Sequence, residues 1–338
     1  MIKKTLFLII VILSLCFGYI FYWFVSPNPE HSQSVDYNLT EGSSFSRVAN
    51  DLEKENILSN PKLFVFYAKI THLTGNLKVG TYRFPVGISP QQILMKLIHG
   101  DIVTIKVTIP EGLNIYQVAE KLSKDFPKVP EKKWVELAHS AELIQFLGYD
   151  HNLKNLEGFL LPETYVFDPN LPPKQVIKAF IVEFKKNVTP AMIAKAKQLG
   201  LNPMQYITLA SIIEKETGVP AERERVAGVY WNRLKKNMRL QADPTVIYGI
   251  WFKYKGSLTK KDLLTPTPYN TYVTFGLPPG PIASPGIASL KATLNPISND
   301  LYFVAKGDGT HVFSTNLKDH NKAVRNYVIY LRANKHKE

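Results

Sequence analysis

Two glutamates, Glu214 and Glu216, close the segment Asn202-Pro203-Met204-Gln205-Tyr206-Ile207-Thr208-Leu209-Ala210-Ser211-Ile212-Ile213-Glu214-Lys215-Glu216. A carboxylic acid set on an apolar face has its charged form disfavoured by desolvation, so it holds a proton near neutral pH, as a general acid must. Leu209, Ile212, Ile213 and Glu216 fall at i, i+3, i+4 and i+7, one face of a helix, which makes Glu216 the expected acid. Glu214 lies roughly 200° around the helix from it and faces elsewhere, leaving it the alternative acid. The competing reading is a Glu216 that reaches solvent past the last turn or pairs with Arg223 or Arg225. Both helix ends are marked: Asn202 can cap, Pro203 suits the first helical position, and Gly218 and Pro220 supply a stop.

Behind this helix the chain runs into loops rich in Pro, Gly, Asn and Tyr, at residues 239–245, 265–272, 276–286 and 313–317. Proline limits the unfolded freedom of such loops, and Tyr, Asn, Gln and Thr are groups that stack on and hydrogen-bond to sugars. They read as the lining of a polar groove, with ordinary surface turns as the bland alternative. No His-x-x-x-His or mixed Cys/His spacing, no Gly-x-x-x-x-Gly-Lys loop and no Gly-x-Ser-x-Gly elbow occurs, so a site without metal or cofactor is expected. His311 and His320 stand isolated in the sequence.

The elements that must position this site are preceded by an anchor. After Lys3 and Lys4, Thr5 to Val25 is uncharged and would rise about 31 Å as a helix, enough to cross a hydrocarbon core. The run is long for a signal peptide and is followed by no small-x-small cleavage site. Cys16, the lone cysteine, lies inside the span behind bulky Leu15, which argues against a lipoprotein site. The expected layout is 1–4 cytoplasmic, 5–25 transmembrane and 26–35 a proline-containing tether, with the remainder on the far side of the membrane. A formal net charge of +13 implies an anionic partner or merely a solvated surface; for an exported chain without a binding motif, nucleic acid is excluded in favour of wall polymer or lipid.

An internal repeat follows. Leu39-Thr40-Glu41-Gly42 is echoed by Ile109-Pro110-Glu111-Gly112, and Val48-Ala49, Leu52 and Lys54 by Val118-Ala119, Leu122 and Lys124. Each copy reads strand, amphipathic helix, helix, strand, helix, giving a unit at 36–106 and a diverged second copy at 107–186, ahead of a helical, loop-rich region at 187–338. The fold class is therefore α+β.

Ala210-Ser211-Ile212-Ile213-Glu214-Lys215-Glu216-Thr217, Gln241-Ala242-Asp243-Pro244-Thr245-Val246-Ile247-Tyr248-Gly249, Tyr269-Asn270-Thr271-Tyr272, Gly276-Leu277-Pro278-Pro279-Gly280 and Asn316-Leu317-Lys318-Asp319-His320-Asn321 together resemble the YceG-like family of endolytic murein transglycosylases. The likeness extends to Leu156-Glu157-Gly158-Phe159-Leu160-Leu161-Pro162-Glu163-Thr164-Tyr165 and spans nearly the whole chain. It implies a single-pass inner-membrane protein with a periplasmic LysM-like region at 36–106, a lysozyme-like catalytic region within 107–338, and peptidoglycan synthases as neighbours. It implies cleavage within nascent glycan strands of peptidoglycan, with Glu216 as acid then base. Gln241, Asp243, Asn270, Tyr272, Asn316 and His320 become candidate sugar-holding residues, and Glu157, Glu163 and Glu222 candidate second carboxylates. A hydrolytic muramidase, which needs a second carboxylate, and a non-catalytic anchored wall-binding scaffold are the alternatives.

Overall fold

The computed structural model describes residues 2–28, 31–75, 77–149 and 153–334. Met1, Pro29, Glu30 and the last four residues, which belong to the expected cytoplasmic end, tether and catalytic region, lie outside the described residues. The chain divides into two compact units, residues 1–106 with 166–172, and residues 107–165 with 173–338.

The first unit carries α1 (Ile2–Val25), β1 (Val35–Leu39), α2 (Phe45–Lys54), α3 (Pro61–Ile70), β2 (Gly80–Phe84) and α4 (Pro90–His99). α1 is long and apolar enough to cross a membrane, with mean hydropathy 2.4 over an 18-residue window within Lys4–Val25. β1 and β2 pair antiparallel from Val35↔Phe84 to Leu39↔Gly80. The helices start where the sequence offers side-chain acceptors: Asn60 accepts from Leu63 N, and Ser89 and Gln92 form a reciprocal capping box before Pro90. Val48, Leu52, Phe64, Tyr82, Phe84, Ile93 and Leu97 fill the core, each fully buried. Asp168, from the returning segment, accepts from Thr81 N at 2.5 Å and Thr81 Oγ1 at 2.8 Å.

The end of α1 is part of this core. Phe24 is 3% exposed and stacks on Tyr67 at 3.7 Å, and Trp23 Nε1 donates to Ser59 Oγ at 3.1 Å. Two described residues of the expected tether, Asn28 and His31, are held by the first unit. Asn28 is buried and donates to Asn56 O and Ile57 O, and buried His31 contacts Phe84 O at 3.1 Å through Nε2. Polar side chains that satisfy distant carbonyls fasten these two residues to the fold, a role the sequence pattern did not disclose.

β3 (Ile105–Thr108) pairs with β4 (Thr164–Phe167), each with two residues in either unit, and the second unit contains α5 (Ile115–Asp125), α6 (Glu131–Ala138), α7 (Ala141–Leu147), α8 (Pro173–Asn187) and α9 (Pro190–Gln198). The order strand, helix, helix, strand, helix of the first unit thus recurs with α7 added. These elements share one compact unit with α10 (Pro203–Glu216), α11 (Arg223–Lys235), α12 (Asp243–Gly249), α13 (Lys260–Leu263), α14 (Ile287–Thr293), the antiparallel hairpin β5 (Tyr302–Ala305)–β6 (His311–Ser314) and α15 (Leu317–Asn334).

α10 is the centre of the second unit, packed against α9, α11, α12 and α14. Residues 206–213 are buried without exception, including Thr208 and Ser211, whose hydroxyls donate back to Met204 O and Thr208 O. The helix therefore has no polar face along these two turns. That differs from the one-sided apolar stripe the spacing predicts, because neighbours cover it on every side. Its start is as the sequence reads: Asn202 Oδ1 accepts from Gln205 N at 2.8 Å and Gln205 Oε1 accepts from Asn202 N at 2.9 Å.

Candidate active site

Glu216 ends α10 where the buried helix reaches the surface. The residue is half-buried, but its Oε1 is closed off from solvent and without a hydrogen-bond partner. Burial pushes its pKa up to about 7; the Asp243 charge adds to the rise, while the Tyr230 hydroxyl, within hydrogen-bonding reach, and the Arg233 guanidinium oppose it. A carboxyl poised there can hold a proton to give away and, once ionised, take one back.

Each neighbour is held by its own framework. Tyr230 and Arg233 sit one turn apart on α11 and are both buried. Arg233 donates through Nε to Leu301 O at 2.7 Å and through Nη1 to Leu240 O at 2.6 Å, tying α11 to two loops. Asp243 opens α12 and accepts from Tyr272 OH at 2.5 Å. This pair is aimed by buried Thr271. Its carbonyl accepts from Gln241 N at 3.1 Å, and its hydroxyl meets Ala242 N at 3.0 Å and Thr245 Oγ1 at 2.8 Å. Gln241 takes a left-handed conformation (φ 50°) to make that turn, a conformation that side chains other than glycine adopt at some cost.

The structure thus gathers Glu216, Asp243 and Tyr272 in one site, with exposed Gln241 two residues from Asp243. His320 is linked to it at one remove. Its ring stacks on Tyr302 at 5.0 Å, Arg233 lies over the same Tyr302, and burial, with Arg233 second, holds the imidazole pKa below its ordinary value.

Two expected sugar contacts do something else. Asn270 is fully buried; its Nδ2 donates to Leu263 O and Thr265 O and its Oδ1 accepts from Tyr272 N, so it shapes the loop that carries Tyr272 rather than facing a ligand. Asn316 caps α15, accepting from Asp319 N at 3.0 Å and donating to Asp319 Oδ2 at 2.7 Å.

Glu214 occupies different surroundings from Glu216. Its side chain is 7% exposed, Oε2 accepts from Gly286 N at 2.9 Å and Oε1 lies 4.0 Å from Arg223 Nη2. A backbone N–H and a guanidinium are the partners of a carboxylate that fixes a loop. The candidate second carboxylates are likewise placed elsewhere. Glu157 is buried and caps α5 through Ile115 N, Glu163 is exposed beside Thr164 N, and Glu222 holds His311, with 2.7 Å from Oε2 to Nδ1. Asp243 is instead the carboxylate whose charge acts on Glu216.

Tyr230 and Arg233 are site members that the sequence reading missed, on the side of α11 that also carries Val226 and Val229. The available signal was a basic residue three places after a tyrosine on that same side, next to Val226 and Val229. Among the described residues no group of three or more His, Cys, Asp or Glu could hold a metal ion.

The YceG-like family profile matches residues 37–326. A Bacillus subtilis protein named endolytic murein transglycosylase is 36% identical over 87% of this chain and 85% of its own length. A Streptococcus pneumoniae protein of the same name is 29% identical over 95% of this chain, which spans 64% of that longer protein. A crystal structure of a YceG-like protein from Listeria monocytogenes superposes with a TM-score of 0.60 at 33% identity, covering 86% of this chain and 99% of that one.

Proposed function

Because this chain belongs to the YceG-like family, we propose that it is an endolytic murein transglycosylase in which Glu216 serves as acid and then as base. The observation that carries the assignment is the Glu216 carboxyl itself, closed off at Oε1, with a pKa near 7 and a second carboxylate, Asp243, at hand but tied to Tyr272.

Glu216 donates its proton to the β-1,4 oxygen between N-acetylmuramic acid and N-acetylglucosamine, and the C1–O bond breaks with its electrons going to the leaving oxygen. Positive charge that develops at C1 is favoured by the Asp243 carboxylate and by the newly ionised Glu216. Glu216 then takes the proton from the muramyl 6-hydroxyl as that oxygen bonds to C1. A 1,6-anhydro ring closes and the carboxyl is protonated again, ready for another cycle. No water is consumed, so one proton-transferring carboxyl suffices, whereas a hydrolase needs a second to activate water or form an adduct. Gln241, Tyr272 and His320 hold the sugar.

In this proposal the chain is a cell-wall lyase anchored by α1 in the inner membrane, N-terminus inside, with a LysM-like first unit, a lysozyme-like catalytic region outside, and synthases as neighbours. It terminates growing strands by internal cuts. The test is digestion of purified glycan strands by the full chain in detergent, with mass spectrometry of product ends. Anhydromuramic ends that fall about 10²–10⁴-fold in rate with Glu216→Gln and are largely kept with Glu214→Gln support the assignment. Reducing ends, or a stronger loss with Glu214→Gln, overturn it.

A further inference from the structure

A cleft of about 350 Å³ shares its elements with the acid site: α10 contributes Lys215 to the cleft and Glu216 to the site, and α12 contributes Pro244 to the cleft and Asp243 to the site. Trp251 and Tyr248 also border a neighbouring cleft of about 390 Å³. Both volumes fall in the ~300–1,000 Å³ range of small-molecule pockets.

The walls combine aromatic surface with a polar, cationic rim. Trp251 opens a short 3-10 turn, Trp251–Lys253, and its ring is fixed by stacking on Tyr116 at 6.4 Å and 15°. Phe252 meets the edge of Tyr116 at 4.9 Å and still stands 81% exposed, a large apolar ring left in water. Tyr248 is braced by Tyr269 at 4.7 Å and by the buried Glu157 carboxyl. Tyr254 and Gln117 complete the first cleft, and Lys215 spends one of its three N–H donors on Gly112 O at 3.0 Å. A pyranose has an apolar C–H face for an aromatic ring and a hydroxyl rim for the polar groups, and a muramyl unit adds a carboxylate to meet an ammonium.

The geometry points to a distal glycan subsite in this cleft, which holds an N-acetylhexosamine ring away from the bond being cut, with Trp251 and Tyr254 as stacking surfaces and Lys215 toward the strand's carboxylates. This inference rests on reading Glu216 as the place of glycan cleavage. A strand that must fill a subsite beyond the scissile bond is cut internally, and short oligomers are held less well.

Isothermal titration of the full chain in detergent micelles, carrying Glu216→Gln so that nothing is cleaved, reads the subsite directly. The probes are a disaccharide and an octasaccharide of alternating N-acetylglucosamine and N-acetylmuramic acid. Trp251→Ala is expected to weaken octasaccharide binding roughly three- to tenfold more than disaccharide binding, the scale of one aromatic contact, with Trp251→Phe keeping most of the difference. Tyr254→Ala, at the end of the turn that Trp251 opens, is expected to act in the same direction, and thermal melts confirm that each variant is folded. Equal losses at both lengths, or none, overturn the subsite. Parallel digestion with Glu216 restored separates the two readings. Cleavage alongside binding indifferent to Trp251 removes the subsite and leaves the function, whereas length-dependent binding without cleavage keeps the subsite and removes the function.

Discussion

Replacing Tyr230 by Phe should move the pH dependence of cleavage upward. The acid form of Glu216 is the one that donates, so kcat/KM is expected to be level below its pKa of about 7 and to fall tenfold per pH unit above it. The Tyr230 hydroxyl favours the ionised carboxyl and so works against burial. A hydrogen bond to a charged group contributes about 1.5–3 kcal/mol, and one pH unit corresponds to about 1.4 kcal/mol, so its loss should carry the alkaline limb up by about 1–2 units. Asp243→Asn has the opposite sign, because the Asp243 charge raises the Glu216 pKa. Asp243 is exposed, so that shift is screened to a fraction of a unit and should shrink further in added salt. Initial rates of anhydro-end formation measured across the neutral range give both limbs. Shifts in the same direction for the two variants, or a limb that follows Glu214→Gln and ignores Tyr230→Phe, would refute the assignment of Glu216.

Three further outcomes concern stability. Burial raises the folded pKa of Glu157 to about 8 from 4.5, so its proton costs folding free energy that sets in as pH rises above 4.5 and is complete beyond 8. Glu157→Gln should therefore stabilise the protein on the order of 3 kcal/mol at neutral pH and hardly at all near pH 4, as read by denaturant melts. Phe24→Ala empties a buried, stacked position in the first unit and should destabilise that unit by about 3–5 kcal/mol; a chain begun at Ser26, which lacks Trp23 as well, should melt lower than one that keeps both. Gly158 has φ 83°, and a Cβ there would come within 2.5 Å of Pro281 Cβ, so Gly158→Ala should lower the melting temperature even though it removes no contact.

Local signals were readable in the chain and long-range ones were not. Asn202 and Pro203 mark the start of α10, and the structure has the capping box there. Glu216 was singled out by an apolar stripe, yet α10 is enclosed on all sides, and what sets this residue apart is its place at the helix end among Tyr230, Asp243 and Arg233. The Tyr272–Asp243 contact joins positions 29 apart, and no spacing rule predicts a pair brought together by a Thr271 hub. Asn270 and Asn316 were chosen for what an amide can do to a sugar, but an amide can equally satisfy a backbone, and residue type does not distinguish the two. Prolines suggested slack at 26–35, whereas Asn28 finds its partners at Asn56 and Ile57, out of reach of any local pattern.

That last fastening governs reach. A unit on a slack leash ranges over a thick layer above its attachment. Here α1 ends inside the hydrophobic interior of the first unit, through Phe24 against Tyr67, and Asn28 and His31 are themselves fastened to that unit. With α1 read as the span, the first unit has one altitude above the bilayer.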